Sequence, residues 1–259
     1  LGGSGEGGGV GPAGPAAPGY IPTSRGPTSR TTLAIEWQHP VLPGIAQASA
    51  EGRTTAVQQR EAMAASAALA YIVGEDRRPL LVLRECLTCR GTEDALMSSK
   101  EDNERTYLLS RWFRCVKLPP DVLETDHPFS KLFPGEKPSH LFIATADGKQ
   151  RHDLEGTHSR RELWGAMEEA LTASYVDAPN EALTKFGKIL DGLDELDSSL
   201  ADLQTRYELA IAKDGGDSKQ VKKLQKEIAE LKGEKNELVA EASKLKTLEL
   251  KPATVSVVK

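Results

Sequence analysis

Cys86 and Cys89 stand two residues apart in the run Cys-Leu-Thr-Cys. Thiols at that spacing close a small disulfide. They also suit a helix start, where unpaired N–H groups favour the thiolate, the form that attacks disulfides. The chemistry open to them is thiol–disulfide exchange, with Cys86 as nucleophile and Cys89 as resolving thiol through a mixed disulfide with a client. A static disulfide, or two small buried side chains, would use the same residues without turnover. The neighbouring charges pull both ways: Glu85 opposes a thiolate at Cys86, whereas Arg84 and Arg90 favour it.

Other reactive types are sparse. Cys115 lies in an alternating apolar stretch and reads as a small core residue. The histidines, His39, His127, His140, His152 and His158, form no i,i+4 pair, and no second ligand pair follows the cysteines at zinc spacing, so neither a metal site nor a cofactor is expected. His140, two residues after Pro138, reads as a strand-face histidine. Trp37, Trp112 and Trp164 read as core.

The elements that must position the cysteines follow from periodicity. Four apolar residues at 80–83 after Pro79 predict a short strand buried on both faces, as at the centre of a parallel sheet. Before it, Thr55 with Gln58 predicts a helix start, carrying an apolar face to Tyr71 and Ile72 and stopping at Gly74. Residues 33–37 suggest an edge strand. After the cysteines come helical stretches over 92–100 and 105–111, then an alternating strand over 113–118 that ends at Pro119-Pro120. Residues 127–133 allow a short helix, and 140–144 read as a strong strand. Asp147-Gly148 predicts a hairpin to a partner at 150–154, and Ser159 with Glu162 caps a helix bearing Leu163, Met167, Ala170 and Leu171.

This order of elements resembles the thioredoxin family. The likeness covers 33–175 and rests on Cys86 and Cys89 directly after a central strand, on Lys137-Pro138 just before the third, and on the final hairpin plus helix. It departs from thioredoxins proper in having Glu85 before the first cysteine and Leu-Thr between the two. The resemblance implies an α/β fold, a thioredoxin-like three-layer domain with a central mixed sheet. It also implies a cis Pro138 beside Cys86, with Lys137 and Pro138 on the face that binds the client.

From residue 180 the period becomes a heptad. Phe186, Ile189, Leu193, Leu196, Leu200, Leu203, Tyr207 and Ala210 form one seam, and Val221, Leu224, Ile228, Leu231, Lys235, Leu238, Ala242 and Leu245 form its mirror across Gly215-Gly216. Residues 181–212 carry seven acids against three bases and 219–246 carry eight bases against five acids, so the arms should attract. The pattern predicts an antiparallel α-helical coiled-coil hairpin. Leu183 and Leu190 lie off the seam; they either pack on the domain before them or hold a partner helix.

The expected organisation is therefore a Gly/Pro-rich disordered tether (1–31), a thioredoxin-like domain (32–176), the coiled-coil hairpin (177–250) and a flexible tail (251–259). A net charge of -5 gives no reason to expect nucleic acid, and no run of about 18 apolar residues spans a membrane. The tether leans toward an extracytoplasmic protein held away from an anchor. By resemblance the expected function is thiol–disulfide exchange or redox sensing on protein clients, engaged through the dithiol face or the hairpin. The rival is a non-catalytic adaptor in which the domain is a packing body and the hairpin carries the interaction.

Overall fold

The computed structural model describes residues 24–41, 60–86, 95–98, 102–154, 158–177 and 179–252. In chain order its elements are α1 (Pro27–Leu33), α2 (Ala65–Val73), β1 (Leu80–Arg84), α3 (Glu104–Ser110) and β2 (Arg114–Leu118). Two 3-10 turns follow, Pro120–Leu123 and Ser130–Leu132, and then β3 (Leu141–Ala144), β4 (Arg151–Leu154), α4 (Arg160–Ser174), α5 (Asn180–Asp214) and α6 (Lys219–Lys244).

Successive side chains of a strand point to opposite sides, so four consecutive apolar residues are satisfied only where both faces are covered. β1 meets that demand and is buried along its whole length. It pairs in parallel with β2 and antiparallel with β3, and β3 pairs antiparallel with β4. The sheet order is β2-β1-β3-β4, with β3 opposed to the other three strands. On one face Leu80, Val82, Val116, Leu118, Phe142 and Ala144 pack with Ala68 and Ile72 of α2 and with Phe129 and Leu132. On the other, Leu81, Leu83, Cys115, Leu141 and Ile143 pack with Leu109, Leu163, Met167, Phe186 and Leu193. Each such side chain contributes about 1.5–3 kcal/mol when fully buried, so burial on two faces is the main term holding β1 in place.

The local signals act as expected at several ends. Gly74 closes α2 at φ 55. Ser159 and Glu162 form a reciprocal capping box on α4, with Ser159 N donating to Glu162 Oε2 at 2.7 Å and Glu162 N donating to Ser159 Oγ at 3.2 Å. Gly148, at φ 70, turns the chain from β3 to β4 and donates its N–H to Thr145 O at 2.8 Å. The Thr55–Gln58 cap and most of the 92–100 helix lie outside the described residues, but residues 60–64 are not helical and α2 begins only at Ala65, so the helix expected from Thr55 to Gly74 is shorter than its pattern implied.

Two expectations near the start are corrected. The Gly/Pro-rich character predicted through residue 31 gives way at Pro27 to α1. Proline suits a first helical turn because the N–H it lacks would have no helical partner there. Acceptors from α5 supply the rest: Gly26 N donates to Asp194 Oδ1 at 2.8 Å, Thr28 N to Asp197 Oδ2 at 2.9 Å, and Ser29 Oγ to Leu190 O at 3.1 Å. The edge strand predicted at 33–37 shrinks to one bridge. Gln38 N donates to Cys115 O and Gln38 O accepts from Lys117 N, both at 2.9 Å, beside β2.

The two longest helices pack on each other more extensively than any other pair of elements. Contacts that fall earlier in α5 meet residues later in α6. Lys235 Nζ binds Asp197 Oδ1 at 2.6 Å, and Leu238 Cδ1 lies 3.0 Å from where a Gly192 Cβ would sit. Towards the turn, Leu203, Ala210, Val221, Leu224 and Ile228 form a cluster of their own. At the other end Phe186, Ile189, Leu190, Leu193 and Ala242 belong to the same apolar cluster as the sheet. Leu190 is fully buried there and Leu183 packs at its margin, so these off-seam leucines serve the body of this chain. Tyr175 bridges Leu250, and Lys251 N donates to Ser174 O at 2.9 Å, which brings the chain back to where the helices left it.

Candidate functional site

β1 runs out of apolar residues at Arg84, and the polar residues that follow are placed by main-chain contacts with both neighbouring strands. Glu85 N donates to Leu118 O at 2.9 Å, and the Glu85 carboxylate pairs with Lys117 at 2.6 Å. On the other side Arg84 N donates to His140 O at 2.7 Å. Cys86 is therefore delivered at the C-terminal end of the central strand, half-buried and in a disulfide. Cys89 lies outside the described residues, and Cys115 is a free thiol.

The side chain of Arg84 has turned inward. The residue is 5 % exposed, stands 5.9 Å over the Phe133 ring, and donates from Nε to Ser139 O at 3.3 Å and from Nη2 to Pro138 O at 3.1 Å. It continues the alternation of Leu80 and Val82, which places it on the face that carries Phe133 and Phe142. Segment 138–140 is gripped from its far side too. Ser139 Oγ donates to Asp153 Oδ1 at 3.1 Å, and Arg151 joins Asp153 at 2.6 Å and Leu132 O at 2.7 Å. Burial, and secondarily the charge of Arg84, hold the His140 imidazole below its usual pKa, so it is neutral at pH 7.

Segment 138–140 meets β1 at Arg84, and its proline differs from expectation in isomer. No peptide bond among the described residues is cis, so the Lys137–Pro138 bond is trans. A cis X–Pro bond costs about 0.5–1 kcal/mol and persists only where packing demands it. Here the Pro138 and Ser139 carbonyls already reach β1 by accepting from Arg84. Pro138 is half-buried and Lys137 exposed.

Comparison with protein-family models, with curated proteins and with solved structures gives no match. What the site can do is therefore argued from its geometry.

Two other regions bear on chemistry. A cleft of about 930 Å³, lined by residues including Arg77, Thr145, Asp147 and Lys149, opens at the opposite end of the sheet. It lies one strand length away from Cys86, roughly 15 Å at 3.3 Å per residue. Among the described residues no group of three His, Cys, Asp or Glu side chains could hold a metal ion. Cys115 is in the core, where burial pushes its thiol up to about 12. Trp112 is fully buried and donates from Nε1 to Leu245 O at 2.9 Å. Trp164 and Trp37 pack at the edge of the same cluster.

Sequence reasoning missed Lys117, Phe133 and the structural role of Arg84. Arg84 had a signal, because it occupies the next inward position after Leu80 and Val82. Lys117 had none, since its pairing with Glu85 depends on the β1–β2 register.

Proposed function

We propose that this chain carries out thiol–disulfide exchange, or senses redox state, on protein clients through Cys86 and Cys89 held on a thioredoxin-like body. The observation that carries the reading is a half-exposed, disulfide-bonded Cys86 at the C-terminal end of the central strand, two residues after the Arg84 that contacts segment 138–140. A sheet of order β2-β1-β3-β4 with β3 opposed to the rest agrees with the thioredoxin resemblance. In the proposed reaction a client thiolate attacks the Cys86 sulfur and the Cys86–Cys89 bond breaks, with Cys89 leaving as thiolate. A second client thiolate then attacks the mixed disulfide and releases Cys86. Two electrons pass from the client dithiol to the pair. On this reading α5 and α6 are an antiparallel coiled-coil hairpin that engages the client or its assembly.

The adaptor reading is favoured by one observation, the trans Pro138, because the cis bond that shapes the client face in the thioredoxin family is missing. Alkylation of the cysteines across a series of glutathione potentials, mapped by mass, separates the two. Exchange requires Cys86 to pass reversibly between reduced and oxidised forms. It also requires a Cys89→Ser variant to trap a mixed disulfide that Cys86→Ser does not trap. A Cys86 that neither cycles nor traps leaves the adaptor.

A further inference from the structure

The segment that follows α1, the residues just before β1, the end of α3 and the chain leaving α6 enclose a second, smaller cavity of about 80 Å³. One water needs roughly 10–15 Å³, so there is room for several waters or for one small ion. Its lining is charged. Arg78, Arg111 and Lys246 stand in its wall with Gln38, Ser110 and one carboxylate, Glu36.

Two of the three cations are engaged already. Arg78 holds Asp76 through Nε and Nη2 at 2.7–3.1 Å, and Lys246 Nζ donates to Glu36 Oε1 at 3.0 Å. Arg111 differs: among the described residues its guanidinium forms no ion pair, and its buried Nε has no acceptor. Its charge meets the Phe186 ring, 5.2 Å from the ring centre. A buried donor ordinarily finds an acceptor, and a buried charge a partner of opposite sign.

The three charges converge. The Glu36 carboxylate is held below its ordinary range first by Lys246, through a hydrogen bond and its charge, and then by the charges of Arg111 and Arg78. Yet the Glu36 side chain is 82 % exposed, so it meets this field from the mouth and leaves the cavity to a ligand.

We infer that the cavity binds a free tetrahedral oxyanion of the phosphate or sulfate class. Arg111 is its main donor, Arg78 and Lys246 add charge, and Glu36 competes for Lys246 at the mouth. A guanidinium suits such an anion because its planar fork donates two parallel N–H···O bonds. The walls come from the body and from the end of α6, so the anion would tie the root of the long helices to the sheet. None of this depends on the exchange reading.

The test is isothermal titration calorimetry of the full chain with inorganic phosphate, the ionic strength being held constant with chloride. Saturable binding of one phosphate per chain is expected at millimolar concentration. Arg111→Met should weaken it about tenfold or more, the range for losing hydrogen bonds between charged groups. Glu36→Gln should tighten it about two- to fivefold, the worth of an exposed ion pair that no longer holds Lys246. Glycerol phosphate, which carries the same group on a bulkier body, should bind more weakly than the free ion. Absence of saturable binding overturns the proposal, as does binding that a folded Arg111→Met leaves unchanged. An unmoved Glu36→Gln overturns the competition at the mouth, and glycerol phosphate binding as tightly as phosphate overturns the free-ion class. If Arg111→Met does not fold, Lys246→Met and Glu36→Gln decide: they should shift the affinity in opposite directions, and no shift in either removes the site.

Discussion

Cys115 and His127 are the two buried side chains whose titration the fold alters most usefully. The Cys115 thiol, 3 % exposed, is pushed up to about 12 by its burial, and only the thiolate reacts with alkylating reagents. In the folded chain at pH 8 Cys115 should therefore resist iodoacetamide over hours and react within minutes in guanidinium, which mass mapping reads directly. His127 accepts from Phe129 N at 3.1 Å through Nδ1 and is buried. Burial holds its pKa below the ordinary 6.5, outweighing the carboxylates of Asp121, Glu124 and Asp126. Between the folded and unfolded values the unfolded chain binds more protons, so stability should fall as pH drops through about 6.5. His127→Asn keeps an acceptor for Phe129 N but cannot titrate. Urea midpoints measured from pH 7.5 to 5 should decline less for that variant than for the parent.

At the scale of elements, the legible parts of the fold are those whose cause is local. β1 was readable because four apolar residues stand between Pro79 and a polar run, and α4 because Ser159 and Glu162 cap it three residues apart. α1 was not, because its partners are about 160 residues away in sequence. Arg25 joins Glu104 at 2.7 Å, Asp191 at 2.7 Å and Asp194 at 2.8 Å, and Asp197 takes both Thr28 and Lys235. The trans Pro138 was unreadable too, since the isomer of an X–Pro bond is set by tertiary surroundings rather than by the local sequence. At the site, position was visible in Cys86 and its strand, while the compensating Lys117 depended on register. Burial alone would raise the Asp194 and Asp197 carboxyls, but hydrogen bonds from Arg25, Ser29 and Gly26, and from Lys235 and Thr28, hold both below the usual 3.8. The stability they contribute is present above about pH 4 and is lost as pH falls through their folded values. Arg25→Ala should cost about 1–3 kcal/mol at pH 7, the range for losing charged hydrogen bonds. The deficit should shrink by pH 3, as read by urea denaturation at each pH.

For the whole molecule, the two long helices have two characters. Their root is part of the central core, with Phe186, Leu190 and Leu193 fully buried against the body, whereas their outer half encloses only its own cluster. Replacing residues 200–231 by a short Gly-rich turn should leave the melting of the body within a few degrees of the parent. Deleting 179–252 should abolish cooperative melting, since it strips the apolar cover from one face of the sheet. Circular dichroism melts of the two truncations distinguish these outcomes. A body that melts normally without its helices would mean that the apolar contacts at the root are dispensable.

The stitch between Tyr175 and Leu250 has a mechanical consequence. Both legs of the two-helix arm leave the body at one point, so a pull on the Gly215–Gly216 bend loads two parallel struts whose feet are tied together. Cargo spliced into that bend would ride on the outer part of the arm, roughly 20 Å beyond the root that is packed on the body, at 1.5 Å per residue over 200–214.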